Sequence, residues 1–210
     1  MAIFPAVVKA TEEPEYEVLA RYGYVELRRY EPMLVAETWV EGSMNNASGQ
    51  GFQRLADFIF GNNRSVVSTN YGQREAIGMT SPVTLQPEPK AKPQSESQSI
   101  AMTAPVTLQP DGERWRVHFV MPSQYTVDTL PKPNNANIQI REVPATHYAV
   151  VAFSGWANAD SSAQIANALQ TWMLENGLTP IASPEVARYD PPWRKPFARR
   201  NEVMIAYRMD

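Results

Sequence analysis

Cysteine is absent from the 210 residues, which removes disulfides, thiolate nucleophiles and cysteine-ligated metals together. Only two histidines, His118 and His147, are available for metal or proton chemistry. The formal net charge is −3 and no run of Lys or Arg stands out, so the concentrated basic face that nucleic acid needs is missing. No apolar stretch approaches the roughly 20 residues that span a bilayer. The opening MAIFPAVVKATEEPEYEV has no basic region ahead of an apolar core, so no secretory signal is read there. G-x-S-x-G, a phosphate loop, a dinucleotide-binding glycine set and H-E-x-x-H are all absent, and no Ser/His/Asp spacing singles out a triad. These absences predict a soluble cytoplasmic protein that is not an enzyme and has no nucleic-acid partner, transmembrane segment or structural metal.

Proline, by contrast, is abundant at 18 residues, concentrated in 82–105 and 184–196, which predicts extended or turning chain there. Hydrophobic residues make up 43% of the chain, enough to argue against wholesale disorder. A nine-residue phrase occurs twice: MTSPVTLQP at 79–87 and MTAPVTLQP at 102–110. Apolar and small residues alternate through both, from Ile77 to Leu85 and from Ile100 to Leu108, which predicts two strands of one sheet facing the same interior. Pro82 and Pro105 suggest an edge or a bulge in each, because proline cannot donate to the ladder. Between the copies, EPKAKPQSESQS (88–99) is polar and Pro/Ser-rich, so 86–99 reads as an exposed loop where a protein partner could dock.

A longer repeat lies at an offset of 113. Residues 26–42, ELRRYEPMLVAETWVEG, align with 139–155, QIREVPATHYAVVAFSG, so that Arg28 meets Arg141 and Gly42 meets Gly155. Each copy reads as two strands around a proline turn, followed by an amphipathic helix. The first helix carries Phe52, Leu55, Ala56, Ile59 and Phe60 and stops at Gly61; the second carries Ile165, Leu169, Trp172 and Met173, with Asp160 as N-cap and Gly177 as stop. RWRVHFVM (114–121) and NEVMIAYRM (201–209) read as further strands. The prediction is one α+β domain over 11–208, after a ten-residue N-terminal extension: a distorted antiparallel β-barrel or twisted sheet of two pseudo-symmetric halves, flanked by two α-helices.

The ordered motifs GFQRLADFIFGNN (51–63), IAMTAPV (100–106), FSGWA (153–157), ARYDPPW (187–193) and ARRNEV (198–203) resemble the SOUL/heme-binding protein family. That resemblance implies the same two-helix barrel, akin to effector-binding domains. It also implies reversible binding of heme b or a related tetrapyrrole in a shallow apolar groove beside the first helix. A family lysine that meets a propionate matches Lys195. A second family lysine, on the first helix, is Asp57 here, and a proposed axial histidine is Arg29.

A porphyrin needs a broad apolar face and cations for its two propionates. Candidate ring contacts are Phe52, Leu55, Ala56, Ile59 and Phe60 on the first helix, Met79 and Met102 on the repeated strands, and Tyr189, Trp193 and Phe197 near the C-terminus. Arg194 and Lys195 supply positive charge among those aromatics. His147 is the candidate axial ligand. His118 shares a strand face with Arg114 and Arg116 and reads as solvated. The alternative function is a small hydrolase or hydrophobic-ligand sensor on the same fold, for which Glu37 and Glu202 are the acids to test. The expectation is a carrier or buffer holding its ring with little or no axial ligation.

Overall fold

Pro32 and Pro144, within one position of equivalence at the offset of 113, break the chain between strands that do not pair with each other. In the structure, a computed structural model that describes residues 12–66, 97–191 and 193–208, the elements run as follows. β1 (Tyr16–Tyr22), β2 (Val25–Tyr30) and β3 (Met33–Glu41) lead into α1 (Met44–Ile59) and the short β4 (Asn63–Arg64). β5 (Val106–Asp111), β6 (Arg114–Val120), the short β7 (Lys132–Pro133), β8 (Gln139–Val143) and β9 (Thr146–Phe153) precede α2 (Ala159–Glu175). β10 (Thr179–Pro180), β11 (Glu185–Arg188), a 3-10 turn at Pro196–Ala198 and β12 (Asn201–Arg208) close the described chain.

The main sheet has the order β1-β2-β9-β12-β11-β5-β6-β3-β8, every pairing is antiparallel, and β10 adds to β12. The expected hairpin of β2 with β3 does not form. β2 pairs with β9 and β3 with β8, so each half gives its first strand to the other half. This exchange obeys the repeat: an offset of 113 carries β2 onto β8, β3 onto β9 and α1 onto α2. The two-fold relation centres on the β5–β11 pair. Gly42 and Gly155 occupy the same place in the two halves, with φ of 98° and 100°, a turn that a residue with a Cβ rarely adopts. They aim the chain from β3 and β9 into the helices.

Both helices lie on one face of the curled sheet, α1 over β3, β5 and β6 and α2 over β9, β10 and β12. Leu55, Phe58 and Ile59 of α1 join Leu169 and Met173 of α2, Phe119, Leu108 and Ile205 in the main core beneath them. Such fully buried side chains contribute about 1.5–3 kcal/mol each. At Gly51, an added Cβ would lie 2.6–2.9 Å from the Val117 side chain, so glycine lets α1 sit directly on β6. Ser43 caps α1 by accepting from the Asn46 N–H. The cap of α2 is Asn158 rather than Asp160, because the helix starts two residues earlier than the acidic residue suggested; Asp160 lies in its first turn, where its charge still suits the helix dipole.

The opposite face of the sheet has its own apolar cluster of Tyr30, Tyr148, Val150, Ala187, Met204 and Ala206, with Met33 and Tyr189 against it. Sequence alternation assigned this face to solvent. It is covered because the sheet curls upon itself. Of the repeated phrase, the first copy, Met79 and Pro82 lie outside the described residues. In the second copy the strand begins only at Val106, after the cis Ala104–Pro105 bond, and β5 lies inside the sheet between β11 and β6, not at an edge. Proline there needs no edge, since Pro105 precedes the ladder.

Candidate functional site

The chain from β11 to β12 forms an aromatic and cationic shelf beside α1. Arg188, at the end of β11, donates from Nη1 to Ser48 Oγ on α1 at 2.8 Å and from Nη2 to the Ala157 carbonyl. One turn on from Ser48, the Phe52 ring is partly exposed and packs 5.5 Å from Phe119. The 3-10 turn is pinned to the start of the second helical segment, since the Gly155 N–H donates to the Pro196 carbonyl at 2.9 Å. Three large rings stand out in solvent here: Trp193 at 84% exposure, Phe197 at 76% and Trp156 at 64%. Monomeric proteins seldom present such a concentration of exposed rings without a binding role.

The cations of this shelf differ in their engagement. Arg194 pairs with Asp190, whose other oxygen accepts from the Arg200 N–H at 2.6 Å. Arg200 holds Glu13 at 2.8 Å and Glu202 at 3.3 Å while lying 3.6 Å over the Tyr189 ring. Arg199 stacks 4.3 Å over Trp156 and donates to the Arg194 carbonyl. Lys195 has no acidic partner among the described residues, and its ammonium lies 5.9 Å from the Phe197 ring centre. Tyr189 is half-buried with its hydroxyl donating to Glu202 at 2.7 Å, so its polar end is already committed.

Leu55, Ala56 and Ile59 are buried in the core, and α1 offers only Phe52 and Phe60 as exposed rings. Phe60, at 63% exposure, lies about 12 Å further along the helix axis than Phe52, at 1.5 Å per residue. Lys195 and Phe197 lie together after β11, which Arg188 ties to α1 at Ser48, one turn before Phe52. Phe60 belongs to the other end, where Ile59 accepts from the Ile100 N–H, two residues before the exposed Met102. Met79 lies outside the described residues. His147 sits near the start of β9, packed against Tyr207, about 20 Å along the strand from Phe153 at its far end. Trp156 went unassigned in the sequence although its FSGWA motif is conspicuous; its exposure beside a stacked arginine is what brings it in.

The other face of the sheet holds two adjoining hollows. The outer, about 710 Å³, is edged by Glu12, Glu13, Glu15, Glu31 and Glu142, with no Lys or Arg in its lining. The inner, about 380 Å³, contains His118, which is buried rather than solvated because the sheet folds over that face. Burial, aided by Arg116 and Arg141, lowers its imidazole to about 3, so it is neutral at physiological pH. Glu185, which the sequence did not single out, is buried in the same hollow; burial raises its carboxyl to about 7 against the pull of Arg116 and Arg141. Glu37 accepts from Arg141 at 3.0 and 3.1 Å, and Glu202 is held by Arg28, Arg200 and Tyr189, so both acids nominated for hydrolysis are tied into ion pairs. Among the described residues no cluster of His, Asp and Glu could hold a metal ion, and no helix is long and apolar enough to cross a membrane.

A curled antiparallel sheet with two helices on one face defines an effector-binding-like α+β half-barrel. The C-terminal domain of EcmrR superposes with a TM-score of 0.58 over 93% of this chain and 99% of its own, at 14% identity. A hydrolase from Listeria innocua superposes with a TM-score of 0.55 over 90% of this chain and 94% of its own, at 9% identity. At these identities the likeness concerns fold. No curated protein sequence matches significantly. The profile of the SOUL heme-binding protein family matches residues 11–99 and 91–206, and the chain belongs to that family.

Proposed function

We propose that this protein is a reversible carrier or buffer of heme or a related tetrapyrrole, held on the shelf between Phe52 and the 189–199 segment. The observation that carries the reading is the concentration of exposed rings around a lysine with no acidic partner among the described residues, in a chain of a heme-binding family. Trp193, Phe197, Trp156 and Phe52 cover the faces of the macrocycle, and Lys195 meets a propionate. Arg199, stacked on Trp156, widens the positive edge. Arg194 and Tyr189 shape the shelf through Asp190 and Glu202, while Leu55, Ala56 and Ile59 support the helix from beneath. Phe60 and Met102 make at most a flank.

Iron, where the ring carries it, supplies the affinity for an axial donor, and neither histidine of this chain is placed on the shelf to give one. Binding therefore rests on stacking and charge, which suits release. The five carboxylates around the outer hollow favour this face over the opposite one. Titration of the protein with hemin, followed by the Soret band, tests the reading. A saturable shift with one hemin per chain is expected; no shift at tens of micromolar hemin contradicts it.

A further inference from the structure

We propose that the inner hollow on the helix-free face is a second binding site, for a small, flat, uncharged molecule carrying a carbonyl oxygen. The proposal does not rest on the tetrapyrrole reading, although Tyr189, whose hydroxyl donates to Glu202 beside the shelf, also lines this hollow.

Its floor holds two buried polar atoms without a hydrogen-bond partner, Arg116 Nε and His118 Nδ1. Every other nitrogen of Arg116 is engaged: Nη2 donates to Gln109 Oε1 and lies 3.6 Å from Glu185, and Nη1 lies 3.8 Å from Glu37. The leftover Nε–H is a donor in a largely dry place, and buried donors are ordinarily satisfied. His118 is more than nine-tenths buried and neutral, so its ring offers one N–H and one bare nitrogen. Both residues line the hollow, but the two atoms are themselves covered, so an acceptor oxygen reaches them only when neighbouring side chains shift.

Walls and volume define the rest of the ligand. Tyr30, Tyr148, Tyr189 and Met204 supply ring faces and a thioether, surfaces that suit a flat apolar body. A volume of about 380 Å³ lies at the lower end of ordinary ligand pockets, room for two or three fused rings but not for a tetrapyrrole with its propionates.

Charge selects the neutral form. The outer hollow shares Pro14, Met33 and Val120 with the inner one and forms its approach. Three of its five carboxylates, Glu12, Glu15 and Glu142, have no cationic partner among the described residues, so an anion is repelled on entry. A cation fares no better inside, where the guanidinium groups of Arg116 and Arg141 line the cavity, Glu37 is held by Arg141 and Glu185 lies 3.6 Å from Arg116. An uncharged carbonyl compound meets neither barrier.

Prodan, a neutral naphthyl ketone whose emission moves to the blue in dry surroundings, is the probe. The full chain is expected to bind one prodan saturably and to bind the anionic anilinonaphthalene sulfonate at least tenfold more weakly. Arg116→Lys keeps a charge for Glu37 and Glu185 but removes the Nε–H, and should weaken prodan at least tenfold. Met33→Trp, at the rim shared by both hollows, should block prodan while leaving hemin binding unchanged, which covers the case of Arg116→Lys failing to fold. Absence of saturable prodan binding overturns the proposal. Wild-type affinity in both variants, equal binding of the sulfonate, or one-for-one displacement of prodan by hemin also overturns it. Failure of hemin to bind leaves it standing.

Discussion

Arg28 on β2 and Glu202 on β12 form a buried ion pair, Nη1 to Oε2 at 3.0 Å, which ties the first repeat to the last strand. Tyr30 and Tyr189 add hydrogen bonds to the two partners. A charge this deep is tolerable only while its partner remains.

Glu202→Ala should therefore lower stability by about 3 kcal/mol, because it leaves the buried Arg28 guanidinium only the part-exposed Glu26 at 2.7 Å. Replacing both members by methionine should cost less than Glu202→Ala alone. Urea denaturation of the three proteins checks this; a double variant as unstable as the sum of the single ones contradicts it.

Gly51 reverses a familiar rule. Glycine to alanine within a helix usually stabilises by up to about 1 kcal/mol. Here the new methyl meets Val117 at 2.6–2.9 Å, so Gly51→Ala should destabilise by about 1–3 kcal/mol. Adding Val117→Ala should recover part of the loss from the clash. Thermal melts of the two single variants and the double variant decide the point.

These two sites also mark what was legible in the sequence. The 113-residue repeat, both helices and the α+β class could be read from the spacing of Phe52, Leu55 and Ile59 and from the paired Gly42 and Gly155. The exchange of β2 and β8 between halves could not, since alternation within a strand is silent about which strand lies beside it. The same holds for His118 and Glu185. Alternation put His118 opposite Trp115 and Phe119 and so read it as solvated, and it said nothing of Glu185; only curling of the sheet turns that outer face into an interior. For the candidate shelf, the motifs marked Trp193, Lys195 and Phe197, while the separation of Phe60 from them needed the helix placed in space.

The inner hollow should leave a mark on the pH dependence of stability. Glu185 has its carboxyl raised from 4.5 to about 7, so between those pH values the folded protein keeps a proton that the unfolded chain has lost. Its contribution makes the fold less stable as pH rises through that window. His118, lowered from 6.5 to about 3, acts in the opposite direction between those values, because the unfolded chain takes up a proton that the folded one refuses. Glu185→Gln removes only the first effect. Relative to the parent, that variant should gain on the order of 2–3 kcal/mol as pH is raised from 4.5 to 7.5. Denaturant titrations at both pH values test this; a difference that stays constant contradicts it.

On the shelf, Lys195→Glu combined with Trp193→Ala should weaken hemin by about tenfold or more, if each contact contributes about 1 kcal/mol. Neither side chain supports the core, as Trp193 is 84% exposed and Lys195 has no acidic partner among the described residues, so the melting temperature should stay put. Soret titrations report the affinity; an unchanged value places the ring elsewhere.

The most direct measurement uses the five tryptophans as reporters. Their indole N–H resonances are followed by nuclear magnetic resonance while metal-free protoporphyrin is added. Trp156 and Trp193 should shift with saturation. Trp39 and Trp115, whose N–H groups donate to Asp111 and the Gly42 carbonyl, should stay in place. Binding of the porphyrin with Trp156 and Trp193 unmoved would contradict the shelf as its seat.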